Sequence, residues 1–119
     1  MGERGTGLLL VMMDIDPAYE DEFNRWYDEE HVPERLHCPG FRSGRRFVSV
    51  EGEPKYLAIY ELDDPEVLET EAYKRMQPPS EWMKKISPHI PTLVRNVYRE
   101  ITQEVPDGFE LRPELRDEA

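Results

Sequence analysis

The chain has 119 residues, 38% hydrophobic and 34% charged, so residues 1–119 read as one domain, with a core at about 7–104 and a tail at 105–119. A formal net charge of −11 argues against nucleic acid and against an anionic membrane surface, both of which are gripped through lysine and arginine. No apolar run approaches the ~20 residues of a membrane span, and a lone cysteine, Cys38, excludes an internal disulfide and fits a reducing cytoplasm.

Residues 1–6, MGERGT, are polar and glycine-rich and predict a frayed end. GLLLVMMDI (7–15) reads as a central strand, an apolar run bounded by turn formers. It meets Asp14 and Asp16 with no small-residue cleavage site, so it is not read as a secretory signal. Asp16-Pro17 is a helix start, an N-cap followed by proline at the first helical position, with Glu20, Asp21 and Glu22 near the positive end of the dipole. The helix is predicted over 17–31. Val32 precedes Pro33 and is biased away from α geometry, which predicts a break or kink there, then one more turn, PERL, before Pro39-Gly40.

FRSGRRFVSV (41–50) and KYLAIYEL (55–62) are strands joined through EGEP, a hairpin. Asp64-Pro65 repeats the N-cap and proline device and predicts a second helix over 65–76. Ser80 caps a short helix, EWMKKI, PHIP (88–91) is a stiff connection, and TLVRNVYREI (92–101) is a fourth strand. The charged tail, with two prolines, reads as an arm or as disorder.

The order β-α-β-β-α-β is the split βαβ, ferredoxin-like pattern: α+β, a four-stranded antiparallel sheet with helices on one face. One chain of this length has nothing but its tail to cover the other face. A second copy, sheet against sheet, would do so, and a homodimer is expected on that ground.

FNRWYDEEHVPERLHCPGF, with YLAIYEL and EAYKRMQPPSEWMKKI further on, resembles the EthD-like family of the dimeric α+β barrel superfamily over about residues 8–102. The WY…EHVPERL…PGF stretch is the specific part. The resemblance implies two protomers whose sheets close into a barrel, each with a pocket between its own sheet and helices. The superfamily includes cofactor-free oxygenases, lactone isomerases, polyketide cyclases and haem enzymes, so the reaction stays open where the fold does not.

On a helix, Tyr19, Phe23, Trp26 and Tyr27 form one stripe that continues to Glu30, with His31 on its edge. A carboxylate on a buried face must be paired or have its pKa raised, whereas a kink at Pro33 would rotate Glu30 into solvent. His31 has the ordinary pKa for proton transfer near neutrality, a neighbouring carboxylate would orient it, and the resemblance places it in the core of the motif. The expected catalytic set is therefore His31 as general acid/base, Glu30 as its partner and Tyr27 as a donor to the substrate oxygen. Trp26, Arg46, Tyr60, Trp82, His89 and Arg95 are the expected substrate-binding residues. Sequence alternation alone leaves open which face of the third and fourth strands looks into the pocket. His37, beside Cys38 and Pro39, reads as surface.

No HxH, HxxxH or CxxC spacing supplies a preformed metal ligand pair, and no histidine stands in an axial-ligand context for haem. GxSxG, P-loop and dinucleotide fingerprints are missing too. The expectation is a cytoplasmic homodimer, without metal or cofactor, that binds a small, largely apolar organic molecule. It would act as a lyase, isomerase or cyclase by proton transfer. The alternatives are a non-catalytic binding or accessory protein and a cofactor-independent monooxygenase.

Overall fold

In the computed structural model, which describes residues 4–117, the strands are β1 (Gly7–Met13), β2 (Phe41–Val48), β3 (Tyr56–Leu62) and β4 (Leu93–Arg99). They pair antiparallel in the order β2-β3-β1-β4, the ferredoxin-like arrangement expected from the element order. Alternation sorts the faces. Leu9, Val11 and Met13 of β1 and Ala58, Tyr60 and Leu62 of β3 are buried together against Phe23, Trp26, Tyr27 and Ile86. The opposite face carries Leu8, Leu10, Met12, Leu57, Ile59 and Phe47, half-buried or exposed, and no element among the described residues covers it. Both sides of β1 are apolar, which fits a strand meant to be covered twice.

Asp16 caps the first helix as expected, its carboxylate accepting from the Ala18 N–H at 3.0 Å. A 3-10 turn, Pro17–Tyr19, leads into α1 (Glu20–Trp26), then a π turn (Tyr27–His31), then α2 (Val32–Leu36). Of the break or kink predicted at Val32 there is no break, since Val32 is helical at φ −63, ψ −47; the irregularity is the π turn just before it. Pro33 has no N–H for the carbonyl four residues back, and its ring would crowd that carbonyl. The wider turn absorbs both defects, and the Val32 N–H reaches Tyr27 O, five residues earlier.

The second helix also departs from expectation. Pro65–Glu69 is a 3-10 turn, Thr70 is extended at φ −77, ψ 157, and α3 spans only Glu71–Lys74. The Thr70 hydroxyl accepts from the Tyr73 N–H at 3.2 Å, a cap that restarts the helix where continuity was predicted. Asp64 makes no side-chain cap. Ser80 does cap α4 (Glu81–Ile86), accepting from the Met83 N–H at 3.0 Å.

Residues 4–6 are not frayed: the Gly5 N–H donates to the Glu61 carboxylate at 2.6 Å and the Thr6 N–H to Asp63 O at 2.9 Å. Residues 1–3, covered by the same expectation, lie outside the described residues, as do the last two of the tail. Gly40 sits at φ +97, where a Cβ would also lie 2.6 Å from Val67, so the turn into β2 needs glycine twice over. Among the described residues no helix is long and apolar enough to cross a membrane.

Candidate functional site

The π turn decides which side chain enters the interior. Its smaller rotation per residue carries His31 back over Trp26, five positions earlier, and the two rings stack at 4.5 Å. Tyr27 meets the same imidazole edge-on at 5.1 Å. His31, expected at the edge of the stripe, is 9% exposed and faces inward, and of the two places left open for Glu30 the outer one is taken: it is half-buried and points along the outside.

No hydrogen bond joins Glu30 to His31 among the described residues, so the expected carboxylate–histidine pair is not formed. The Glu30 carboxylate instead accepts from Trp26 Nε1 at 3.1 Å and from the Ser80 hydroxyl. It ties the first helix to the start of α4 and fixes the indole against which His31 stacks. Glu30→Ala is expected to cost about 1–3 kcal/mol, because the buried indole N–H is left without its acceptor. Urea unfolding measures the loss, and Glu30→Gln, which keeps an acceptor oxygen, should recover part of it.

Across the interior, Tyr60 projects from β3 with its ring beneath Gly44, where a Cβ would come within 3.1 Å of the ring and 3.3 Å of Val32. Phe41 packs edge-on at 5.7 Å. Tyr60 is 1% exposed, and its hydroxyl is the buried side-chain oxygen that has no hydrogen-bond partner among the described residues. An orphaned buried hydroxyl is costly and asks for an explanation.

Electrostatics leave these groups neutral. Burial, with the positive charges of Arg35 and Arg46, pushes the His31 imidazole down to about 3. Burial pushes Tyr27 up to about 12 against the pull of Arg46 and Arg35, and pushes Tyr60 up as well. The interior therefore offers two hydroxyls and a neutral imidazole with one donor and one acceptor nitrogen. Arg46 closes the edge of the interior, donating to Asn24 Oδ1 at 2.7 Å and Asp28 Oδ1 at 2.9 Å while its guanidinium lies 4.5 Å from the Tyr27 ring centre. Behind it Val11, Met13, Tyr27, Tyr56 and Ala58 pack without leaving room for a water molecule, where a typical ligand pocket has ~300–1,000 Å³. The site is closed.

The other candidates are placed less centrally. Trp26 is fully buried and backs the imidazole. Trp82 is half-buried on the outside, donating to Glu22 at 3.2 Å beneath the Arg25 guanidinium. Together with Glu30, Ser80, Met76 and Pro33 it lines an outer groove of about 750 Å³. His89 stacks on Tyr19 at 3.5 Å at the start of the first helix, and its position is explained by that ring. Arg95 stands on the helix-side face of β4 and donates to the Tyr73 hydroxyl at 3.1 Å. His37 is exposed. Arg35 was missed. It lies four residues after His31, a spacing legible in the sequence, but the predicted break placed it on a separate segment. Among the described residues no three His, Cys, Asp or Glu side chains gather as a metal site.

Sheet order and one-sided helices define a ferredoxin-like α+β fold. Residues 7–100 match the family model described as "Domain of unknown function (DUF4286)", and the chain belongs to that family. No curated protein matches it. Among solved structures it is similar to an ethyl tert-butyl ether degradation (EthD) family protein from Bacillus halodurans, at 21% identity over 80% of this chain and 99% of that one, TM-score 0.56. It is also similar to a monooxygenase from the gene ActVA-Orf6 of Streptomyces coelicolor in complex with nanaomycin D, at 14% identity over 87% and 94%, TM-score 0.64. A third is the heme-degrader MhuD from Mycobacterium tuberculosis with two hemes bound, at 12% identity over 83% and 99%, TM-score 0.58. These likenesses show the fold, and the EthD-like dimeric α+β barrel resemblance carried by the WY…EHVPERL stretch is supported.

Proposed function

We propose that the chain works in the cytoplasm as a homodimer, its open sheet faces closed on one another, and that each protomer takes a small, largely apolar organic molecule between its sheet and helices and moves a proton on it without a cofactor. The partnerless Tyr60 hydroxyl carries the reading. A donor kept dry in an interior that also holds a neutral imidazole is an arrangement suited to receive a substrate oxygen as charge develops on it. His31 takes the proton, Tyr60 and Tyr27 donate to the oxygen, and the charges of Arg35 and Arg46 favour the resulting anion. Glu30 and Trp26 are positioning residues, holding the imidazole from behind. Arg46 is the group that must swing for entry, because its guanidinium lies over the Tyr27 ring and is tied down by Asn24 and Asp28 at the edge of the interior.

The depressed basicity of His31 narrows the substrate. An imidazole held neutral by burial is a weak base, so the substrate must give an anion stabilised by delocalisation and by the Arg35 and Arg46 charges, as a phenol O–H or a C–H between two carbonyls does. Transfer leaves an enolate or phenolate whose electrons stay in the substrate. Return of the proton to a different carbon gives an isomer, and loss of a neighbouring group gives a lyase.

Similarity to a monooxygenase favours a second reading of the same first step. There the carbanion reduces dioxygen, a CH2 becomes C=O, and one water leaves, with the substrate as sole reductant. The haem of the mycobacterial structure does not fit the interior around His31, which is packed by Trp26 and Tyr27 and leaves no room for a water beside Tyr27 and Arg46. No step is drawn through iron.

Benzoylacetone, an aryl diketone, in heavy water tests the reading. Deuterium entering its central carbon faster with protein than with buffer supports proton transfer, and oxygen uptake points to the second reading. Saturable binding with neither would make this a binding protein and overturn both.

A further inference from the structure

We propose that residues 101–117 form an exchanged arm that docks on a second copy of the chain, in a trough on the open face of its sheet. The inference rests on the dimer proposed above and adds what holds it. The radius of gyration is 18.4 Å with extents of 57 × 35 × 20 Å, against about 13.5 Å for a compact chain of this length. The excess comes from the arm. Every residue from 101 to 117 is exposed, yet the segment is not featureless: Phe109 N–H closes on Pro106 O at 3.1 Å, Leu115 N–H on Arg112 O at 3.0 Å, and Arg116 Nε on Leu111 O at 3.0 Å. It presents Ile101, Val105, Phe109, Leu111 and Leu115 to solvent, with Phe109 at 62% exposure. Five large apolar side chains on a shaped strap without a surface beneath it are the pattern of a segment that lies on another molecule.

The root of the arm says which molecule. Tyr98, Arg99 and Glu100 line a trough of about 450 Å³ on the open face together with Leu8, Ile59 and Arg45. The arm thus leaves the body at the rim of the face that meets the second copy. In a two-fold pair it is delivered onto that partner, and the partner's arm is delivered back. In the trough Arg4 and Arg99 are paired with Glu100 and Glu66, which leaves Arg45 as the cation to meet the arm, where Glu104, Asp107, Glu110, Glu114 and Asp117 outnumber Arg112 and Arg116.

The full-length chain supplies the test. Sedimentation should give twice the chain mass at micromolar concentration, and the paired change Phe109→Asp with Leu111→Asp, on exposed positions outside the core, should raise the dimer dissociation constant at least 10-fold. A benzophenone photo-crosslinker at position 109 in a mixture of light and heavy isotope-labelled chains should join light to heavy, at peptides containing Leu8, Arg45 or Ile59. A monomeric parent chain would sink the dimer and the arm together. A dimeric parent with an unchanged dissociation constant in the double variant, or crosslinks within one chain or elsewhere on the partner, would overturn the arm and leave the sheet-to-sheet dimer standing.

Discussion

Tyr60→Phe is expected to make the protein more stable and worse at holding its ligand. The hydroxyl is buried without a hydrogen-bond partner, and an unsatisfied buried polar group costs about 1–3 kcal/mol. Phenylalanine keeps the ring, so the edge-on packing with Phe41 and the contact beneath Gly44 survive the change. Only the uncompensated oxygen goes. A gain of about 1–2 kcal/mol follows, or a rise in Tm of roughly 3–8 °C per kcal/mol for a domain near this size. A core substitution that stabilises is uncommon, which makes the result diagnostic. Benzoylacetone should bind about 10-fold more weakly, the equivalent of one hydrogen bond near 1.4 kcal/mol. Opposite signs in the two measurements would identify a donor held for a substrate at the expense of stability. A destabilised variant would mean that an ordered water already satisfies the oxygen, and the central support for the proposed function would be gone.

Much of the fold was legible because its signals are local or periodic. The Asp16-Pro17 and Ser80 caps announce helix starts by chemistry that needs no distant partner, and both are used. The doubly apolar β1 and the hairpin to β3 fix the sheet by alternation. Two local rules lost to context. The residue before a proline avoids α geometry in short chains, but Val32 is packed in the interior beside Gly44 and Tyr60, and a π turn lets it stay helical. Thr70 looked like an ordinary helix interior because its alternative role as a cap depends on where the chain bends.

The site suffered more than the fold from that first error. Whether Glu30 or His31 enters the interior depends on the rotation of one turn, and nothing in the composition of YDEEH distinguishes a π turn from an α turn. The orphaned Tyr60 hydroxyl was equally out of reach, since Tyr56, Ala58 and Tyr60 could be assigned to one face but not to the inner one. That assignment needs the pairing of Tyr60 with Leu9 and Gly44, residues far away in the chain. Motif chemistry singled out a histidine that is buried, but gave it a carboxylate that bonds Trp26 and Ser80 instead.

Replacing His31 is expected to have the largest effect, and its pH dependence separates a neutral buried base from a structural ring. His31→Ala should lower exchange turnover by about 10²-fold or more, as loss of a general base does. The parent rate should stay level down to about pH 5, because the free protein's imidazole is held at about 3 and remains unprotonated there. Stability should behave otherwise. In the unfolded chain the imidazole titrates at ~6.5, so between 6.5 and about 3 the unfolded state binds the extra proton. Stability is therefore full above ~6.5 and falls as pH drops. The accumulated loss from this one group is about 2 kcal/mol between pH 7 and pH 5. His31→Phe keeps a ring against Trp26 but cannot titrate, so its stability measured by urea unfolding should fall less over that range by the same amount. If parent and variant lose stability in parallel, the imidazole is protonated or hydrated inside the fold. An imidazolium stacked on Trp26 would still be a cation for a carboxylated ligand, but it could not take a proton, and the enzyme reading would fail at its base while the pocket remained.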